Sequence, residues 1–313
     1  MTDTLKKYLT TDHSTRIQLL RLSQAWQDGL AHQKLPAAVT RLLGELSAAC
    51  VLLAGNIKFD GSVVLQIQGS GPVSLMVAEC TGALELRATA HLRDAAAAPP
   101  EDAGLQALVN PDGKGRFTVM LDPSRRGEGT SLYQGIVPLE GDSVAHALEY
   151  YMKHSEQLDT RLWLAANDRF CTGLLLQRMP SSQHGGGQSA EQHTDDEDRT
   201  WEHCTTLADT VASPELLDLT TDALMHRLFW QDDLVSFAPQ AVHWHCACSR
   251  ERVANMLRTL GQTEIDSILA EQGHVHIGCD FCGKPYEFDA VDCAALFAEG
   301  TQPVQAPGSG LLH

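Results

Sequence analysis

The chain has 313 residues, 43% of them hydrophobic, and 23 Lys and Arg against 40 Asp and Glu give a formal net charge of -17. That length suits two or three folded units, and the apolar share excludes wholesale disorder. The charge argues against a nucleic-acid partner and against an anionic membrane surface, since both need clustered Lys and Arg.

Lys6 and Lys7 are followed by no apolar run of signal-peptide length, and no stretch reads as long and apolar enough to span a bilayer. The nine cysteines are therefore expected in a reducing cytoplasm, where metal or redox chemistry is favoured over structural disulfides. Helical spacing is read from Thr15 to Leu30 (Ile17, Leu20, Trp26) and again from Pro36 to Ala54 (Val39, Leu42, Leu43, Leu46, Cys50, Leu53), with Pro36 in the first turn. Ile57 and Phe59 lead into Asp60-Gly61, a hairpin turn signal, and Val63 to Gln68 continues beyond it. After the turn Gly69-Ser70-Gly71-Pro72, strands are expected at Val73 to Val77, Leu84/Leu86, Phe117/Val119/Leu121 and Tyr133/Gly135/Val137. A helix from Ser143 to His154 and strands near Arg161 to Ala166 and Cys171 to Arg178 complete residues 1–180. Closely spaced strands with short turns make this an α+β domain, with a largely antiparallel sheet and packed helices.

Composition changes after Pro180. Ser181 to Asp198 is Ser, Gln, Gly, His and acid, which reads as a flexible, solvated linker. Short helices follow. Trp201, Cys204, Leu207 and Val211 share one face, Ser213-Pro214-Glu215 reads as a helix start with Ser213 as N-cap, and Leu224, Met225, Leu228 and Phe229 form another apolar stripe. From Glu191 to Asp233 twelve acids face two Arg, a net of -10. Helices this short and charged are marginal alone and need a surface to dock on. Residues 181–241 are thus read as an acidic helical linker, either a plain connector or an element poised between docked and unfolded.

Residues 242–298 carry the most specific motif, Cys246-x-Cys248 and Cys279-x-x-Cys282. Between the pairs, Ser249 to Leu260 and Thr263 to Ala270 have helical spacing. Roughly fifty-five residues make a small core, of a size that commonly needs a metal or other staple. Two close cysteine pairs supply four thiolates to one tetrahedral Zn²⁺, one ion per chain, and four sulfurs leave no open position for hydrolysis. His243, His245, His274 and His276 compete as ligands, but with four sulfurs available they read as surface residues or supports. Cys293, Cys50, Cys80, Cys171 and Cys204 read as packing residues. The same closeness lets each pair close a disulfide with its neighbour, and the small C-x-C ring is strained and so forms only under oxidative pressure. Residues after Glu299 are Gly, Pro, Ser and Gln, and read as a disordered tail over 299–313.

Many of these residues together resemble the 33-kilodalton heat-shock family of redox-regulated holdase chaperones. The resemblance runs through nearly the whole chain. It rests on Lys58-Phe59-Asp60-Gly61, Gln68-Gly69-Ser70-Gly71-Pro72, Tyr133-Gln134-Gly135, Leu139-Glu140-Gly141-Asp142, Ser155-Glu156-Gln157-Leu158 and Thr160-Arg161. In the last module it rests on Cys246-Ala247-Cys248-Ser249-Arg250-Glu251-Arg252, Ile265-Asp266-Ser267-Ile268-Leu269-Ala270-Glu271 and Cys279-Asp280-Phe281-Cys282-Gly283. The resemblance implies a reduced, inactive form holding zinc through Cys246, Cys248, Cys279 and Cys282. It implies that oxidants convert these to two neighbour disulfides, that zinc leaves and the module and linker unfold. It further implies that the protein then dimerises and binds unfolding client proteins without ATP, as a binder rather than an enzyme.

Two other classes use the same ligands. A zinc-ribbon nucleic-acid module is disfavoured by charge, since residues 241–313 hold four Lys or Arg against nine acids. A thiol oxidoreductase using Cys279-x-x-Cys282 needs that motif to open a helix after a strand, whereas Gly283-Lys284-Pro285 reads as a turn.

Overall fold

The computed structural model describes residues 3–58, 60–93, 99–123, 132–180 and 190–298, without side chains for 190–194 and 298. The chain divides into two compact units, one ending at His245 and one beginning at Cys246.

The first unit contains strands β1 (Thr4–Thr10) and β2 (Thr15–Leu22), helices α1 (Gln24–Leu30) and α2 (Ala37–Ala54), then strands β3 (Gly61–Gln68), β4 (Val73–Thr81) and β5 (Glu85–Leu92). It continues through α3 (Leu105–Val109), β6 (Arg116–Pro123), β7 (Tyr133–Pro138), α4 (Val144–Tyr151), a π-helical turn at Met152–Glu156, β8 (Thr160–Ala166) and β9 (Cys171–Arg178). Helices α5 (Ala190–Ala208), α6 (Ser213–Asp218) and α7 (Thr221–Phe229) and strands β10 (Leu234–Ser236), β11 (Gln240–Ala241) and β12 (His243–Trp244) complete it. One sheet has the order β10-β1-β2-β9-β8, with β11 also on β1, and the other β12-β5-β4-β3-β6-β7. Every pairing is antiparallel except β12 on β5.

Helix α2 lies between these sheets. Val39, Leu43, Leu46, Cys50 and Leu52 on it are all buried with Leu20 and Leu175 of one sheet and Leu65 and Met76 of the other. This helix is long and apolar enough to cross a bilayer, with a mean hydropathy of 1.6, which corrects the expectation that no stretch is. It is 78% buried inside the protein, so its apolarity serves the core. Pro36 stands just outside the helix, as its N-cap residue.

The expected helix from Thr15 to Leu30 is also corrected: residues 15–22 are strand β2 and only Gln24–Leu30 is helical. Leu20 and Leu22 face α2, while Ile17 and Leu19 face a second apolar cluster on the other side of the sheet. A strand buried on both faces shows no polar alternation, so its apolar residues can be mistaken for a helical stripe. The hairpin turn at Asp60-Gly61 is corrected as well, because Gly61 opens β3 and Ile57 is in no strand. Phe59 lies outside the described residues, as do residues 181–189 of the expected flexible stretch and the whole tail from Glu299. Ala190 to Asp198, the other half of that stretch, is helical.

The helices read as a linker pack on the outer face of the β10-β1-β2-β9-β8 sheet. Cys204 and Ala208 of α5, Leu216 of α6 and Leu224, Leu228 and Phe229 of α7 are buried with Ile17, Leu19, Ala165, Leu174 and Leu176. Ala212 rather than Ser213 is the N-cap of α6, and its N–H donates to the Glu215 carboxylate at 3.1 Å.

The second unit contains α8 (Arg250–Leu260), α9 (Gln262–Gln272), the hairpin β13 (Val275–Gly278) and β14 (Pro285–Phe288), and α10 (Ala290–Ala298). Its core consists of Ala254, Leu257, Ile265, Val275, Tyr286, Phe288, Cys293 and Leu296. Arg250 ties the unit together from outside: it donates to Glu287 O and the Asp292 carboxylate, both at 2.7 Å, and lies 4.2 Å from the Phe288 ring centre.

Candidate metal centre

Each half of the cysteine cluster is placed by ordinary secondary structure. Cys246 and Cys248 lie in the extended stretch that Ser249 ends, where the Ser249 hydroxyl accepts the Arg252 N–H at 3.2 Å and caps α8. Cys279 and Cys282 sit in the turn between β13 and β14. There Cys279 N–H donates to Lys284 O at 3.0 Å and Gly283 N–H donates to Cys279 O at 2.7 Å. Gly283 has φ +65°, a conformation that a side chain would strain. The turn folds the chain so that both sulfurs of the second pair face those of the first.

All four Sγ atoms lie within 4.8 Å of one another. Cys246 and Cys279 are 3.6 Å apart and Cys248 and Cys282 are 3.4 Å apart. Zinc–sulfur bonds of about 2.3 Å in a tetrahedron place sulfurs about 3.8 Å apart, so the cluster has the dimensions of a four-thiolate metal site. All nine cysteines are reduced. Among the described residues, the group that meets this spacing contains none of the four histidines weighed above. His276 instead faces Glu287 across the hairpin at 3.5 Å.

The Tyr286 hydroxyl donates to Cys248 Sγ at 3.1 Å. Burial raises the Cys248 thiol, but this bond and those with Cys282, Cys246 and Cys279 outweigh it and lower it to about 7. Burial and the neighbouring sulfurs push Cys282 up to about 12, and burial raises Cys246. The Tyr286 hydroxyl and the neighbouring thiols thus favour ionisation of Cys248 over that of Cys282. Sequence reasoning missed Tyr286, because its role depends on the hairpin register that pairs it with Ile277.

The other five cysteines are buried elsewhere. Cys50 donates to Val63 O and Ala78 O, both at 3.4 Å, and Cys171 donates to Gly44 O at 3.0 Å. Burial raises Cys50, Cys80 and Cys171, and raises Cys204 to about 12. Cys293 belongs to the core of the second unit. Cys279-x-x-Cys282 occupies a hairpin turn and opens no helix, unlike the motif of a thiol oxidoreductase.

Residues 3–289 match the protein family described as Hsp33 protein. The chain is 40% identical over 314 residues to the 33 kDa chaperonin of Methylobacillus flagellatus, covering 100% of this chain and 99% of that protein. It is 42% identical over 295 residues to the 33 kDa chaperonin of Chromobacterium violaceum, covering 94% of each. Its fold is similar to that of the crystal structure of the 33 kDa chaperonin (heat shock protein 33 homolog) from Thermotoga maritima. That match has a TM-score of 0.76 at 19% identity and covers 94% of this chain and 97% of the other.

Proposed function

The chain belongs to the Hsp33 chaperone family, and on that premise we propose that it is a redox-switched, ATP-independent holdase of the reducing cytoplasm. In this reading residues 1–180 form the client-binding core, 181–241 the repressing linker and 242–298 the switch. The observation that carries it is the gathering of four reduced sulfurs within 4.8 Å in a unit with eight buried core side chains.

Cys246, Cys248, Cys279 and Cys282 would hold one Zn²⁺, which would supply folding energy of about 10–16 kcal/mol to that unit. Peroxide or hypochlorous acid ends the arrangement. A cysteine thiolate attacks the peroxide oxygen and becomes a sulfenic acid with release of hydroxide. The neighbouring thiolate displaces a second hydroxide and closes the disulfide, so two electrons pass to the oxidant for each bond. The pairs Cys246–Cys248 and Cys279–Cys282 close the shortest loops. Disulfide sulfurs no longer ligate the ion, and so small a core cannot hold the unit folded alone.

The output is the apolar sheet face beneath the linker. Leu224 and Leu228 are each 4% exposed where they cover it. A linker with a net charge of -10 between residues 191 and 233 stays folded only while docked. Its release presents Ile17, Leu19, Leu174 and Leu176 to unfolding clients, held as a homodimer and without turnover. The test is light scattering of a heat-unfolding client with the protein reduced or oxidised, alongside zinc release to a chromogenic chelator. Suppression only after oxidation, with zinc released, is expected. Equal suppression in both states, or oxidised protein that keeps its zinc, would sink the switch.

A further inference from the structure

The sheet face beneath the linker is apolar at its centre and cationic at its rim, and both properties follow from strand parity. Alternate residues of a strand point to one side of a sheet. On β2 the outward row is Thr15, Ile17, Leu19 and Arg21; on β9 it is Thr172, Leu174, Leu176 and Arg178. On β8 it is Arg161, Trp163 and Ala165, and on β1 it includes Lys6 and Tyr8. Each of the four strands thus adds one cation to the outer face, and these rows contain no Asp or Glu. In a chain with a net charge of -17, such a surface is out of keeping with the average.

All four cations are engaged by the linker. Lys6 pairs with Asp222, Arg178 pairs with Asp198, and Arg161 reaches Asp209 at 2.8 Å. Arg21 donates to Leu216 O at 3.2 Å and Leu219 O at 2.9 Å. Two guanidinium groups are held ready by aromatic rings, Arg21 at 4.0 Å from the Phe170 centre and Arg161 at 5.4 Å from that of Trp163. The linker therefore satisfies this face twice, by an apolar stripe at its centre and by acids and carbonyls around it.

We propose that this face selects amphipathic client segments whose apolar stripe is flanked by Asp or Glu, and that the acidic linker occupies it as a built-in substitute for such a client. The proposal rests on the holdase reading above and adds a chemical preference to it. Hydrophobic burial supplies affinity without discriminating between segments, while the rim charges set which flanks are welcome. A client flanked by Lys or Arg meets the same cations and is repelled, most strongly by Lys6, Arg21 and Arg178, because Arg161 keeps Glu149 at 3.6 Å when the linker leaves. The overall negative charge of the chain would rank clients in the opposite order, so the local surface and the net charge make contrary predictions.

The experiment uses the full-length oxidised protein and a fluorescently labelled amphipathic peptide with Leu and Phe on one face. The peptide is made with Glu, Gln or Lys flanks. Anisotropy titrations at low salt should rank them Glu, Gln, Lys from tightest to weakest. About tenfold should separate the ends, and the gap should close as salt screens the rim. The double variant Arg161→Gln with Arg178→Gln should narrow the gap, and Arg161→Lys with Arg178→Lys should restore it. Equal affinities, or Lys flanks binding tightest, would overturn the preference while leaving the holdase reading intact. If even the Gln-flanked peptide fails to bind oxidised protein, the client face itself is wrong and the preference falls with it.

Discussion

The unit that ends at His245 encloses an eighteen-residue apolar helix between two six-stranded sheets, whereas the unit that begins at Cys246 closes over eight buried side chains and a cluster of sulfurs. The first has enough apolar surface to fold by burial. The second is small enough that a bound metal would contribute as much as its whole core. The four clustered thiols sit in the unit whose structural reserve is smallest, so in the proposed switch oxidation would unfold that unit and spare the other.

The largest expected effect comes from removing a sulfur. Cys282→Ser should cost the second unit most of its metal-derived stability, on the order of 10 kcal/mol, and leave it unfolded in reductant. Limited proteolysis should then cut residues from Cys246 onward while the α2 sandwich resists. Digestion of the whole chain would show that the units are not energetically separate.

Leu228→Asp addresses the linker, which lies in the first unit yet is predicted to behave like the second. Placing an unpaired carboxylate at a 4% exposed position costs several kcal/mol, more than marginal helices can absorb. The reduced variant should keep its zinc and already suppress client aggregation. Full zinc with no activity, although protease finds the linker open, would transfer the trigger to the cysteine unit.

A smaller effect concerns pH. Glu45 lines a cavity of about 340 Å³ with Glu149, Arg161, Val211, Ser213 and Leu216, beneath α6. Burial pushes its carboxyl up to about 7, against the pull of Arg41. The folded state thus holds this proton more tightly than the unfolded state, whose value is near 4.5. Stability is unaffected below that value, falls as pH rises from 4.5 to about 7, and levels off above it. The loss is bounded by about 3 kcal/mol. Glu45→Gln should flatten this slope in urea melts of the reduced chain between about pH 5 and about pH 8. An unchanged slope would assign the pH dependence elsewhere.

The mildest change is Tyr286→Phe, which leaves the hairpin in place and removes the hydroxyl that donates to Cys248. In the zinc-loaded reduced protein, loss of this hydrogen bond should weaken zinc retention against a competing chelator by about tenfold. Retention equal to that of the parent chain would show that the other sulfurs suffice.

Periodicity in the sequence was enough for α2, for most strands of the first unit, and for α7 and α8, because each shows a polar face to contrast with its buried one or an apolar run of the right length. The clustering of Cys246, Cys248, Cys279 and Cys282 was legible too, since closely spaced cysteine pairs are readily brought together. Strand β2 was not legible, because the linker covers its outer face and removes the alternation that marks a strand. The short strands β10 to β12 exist only as additions to sheets already formed, and so few residues carry no period of their own. Tyr286 near Cys248, and the four cations around one apolar face, come from residues far apart in the chain. Local spacing decided which residues form helices, strands and thiol pairs; strand register and docking decided which of them meet.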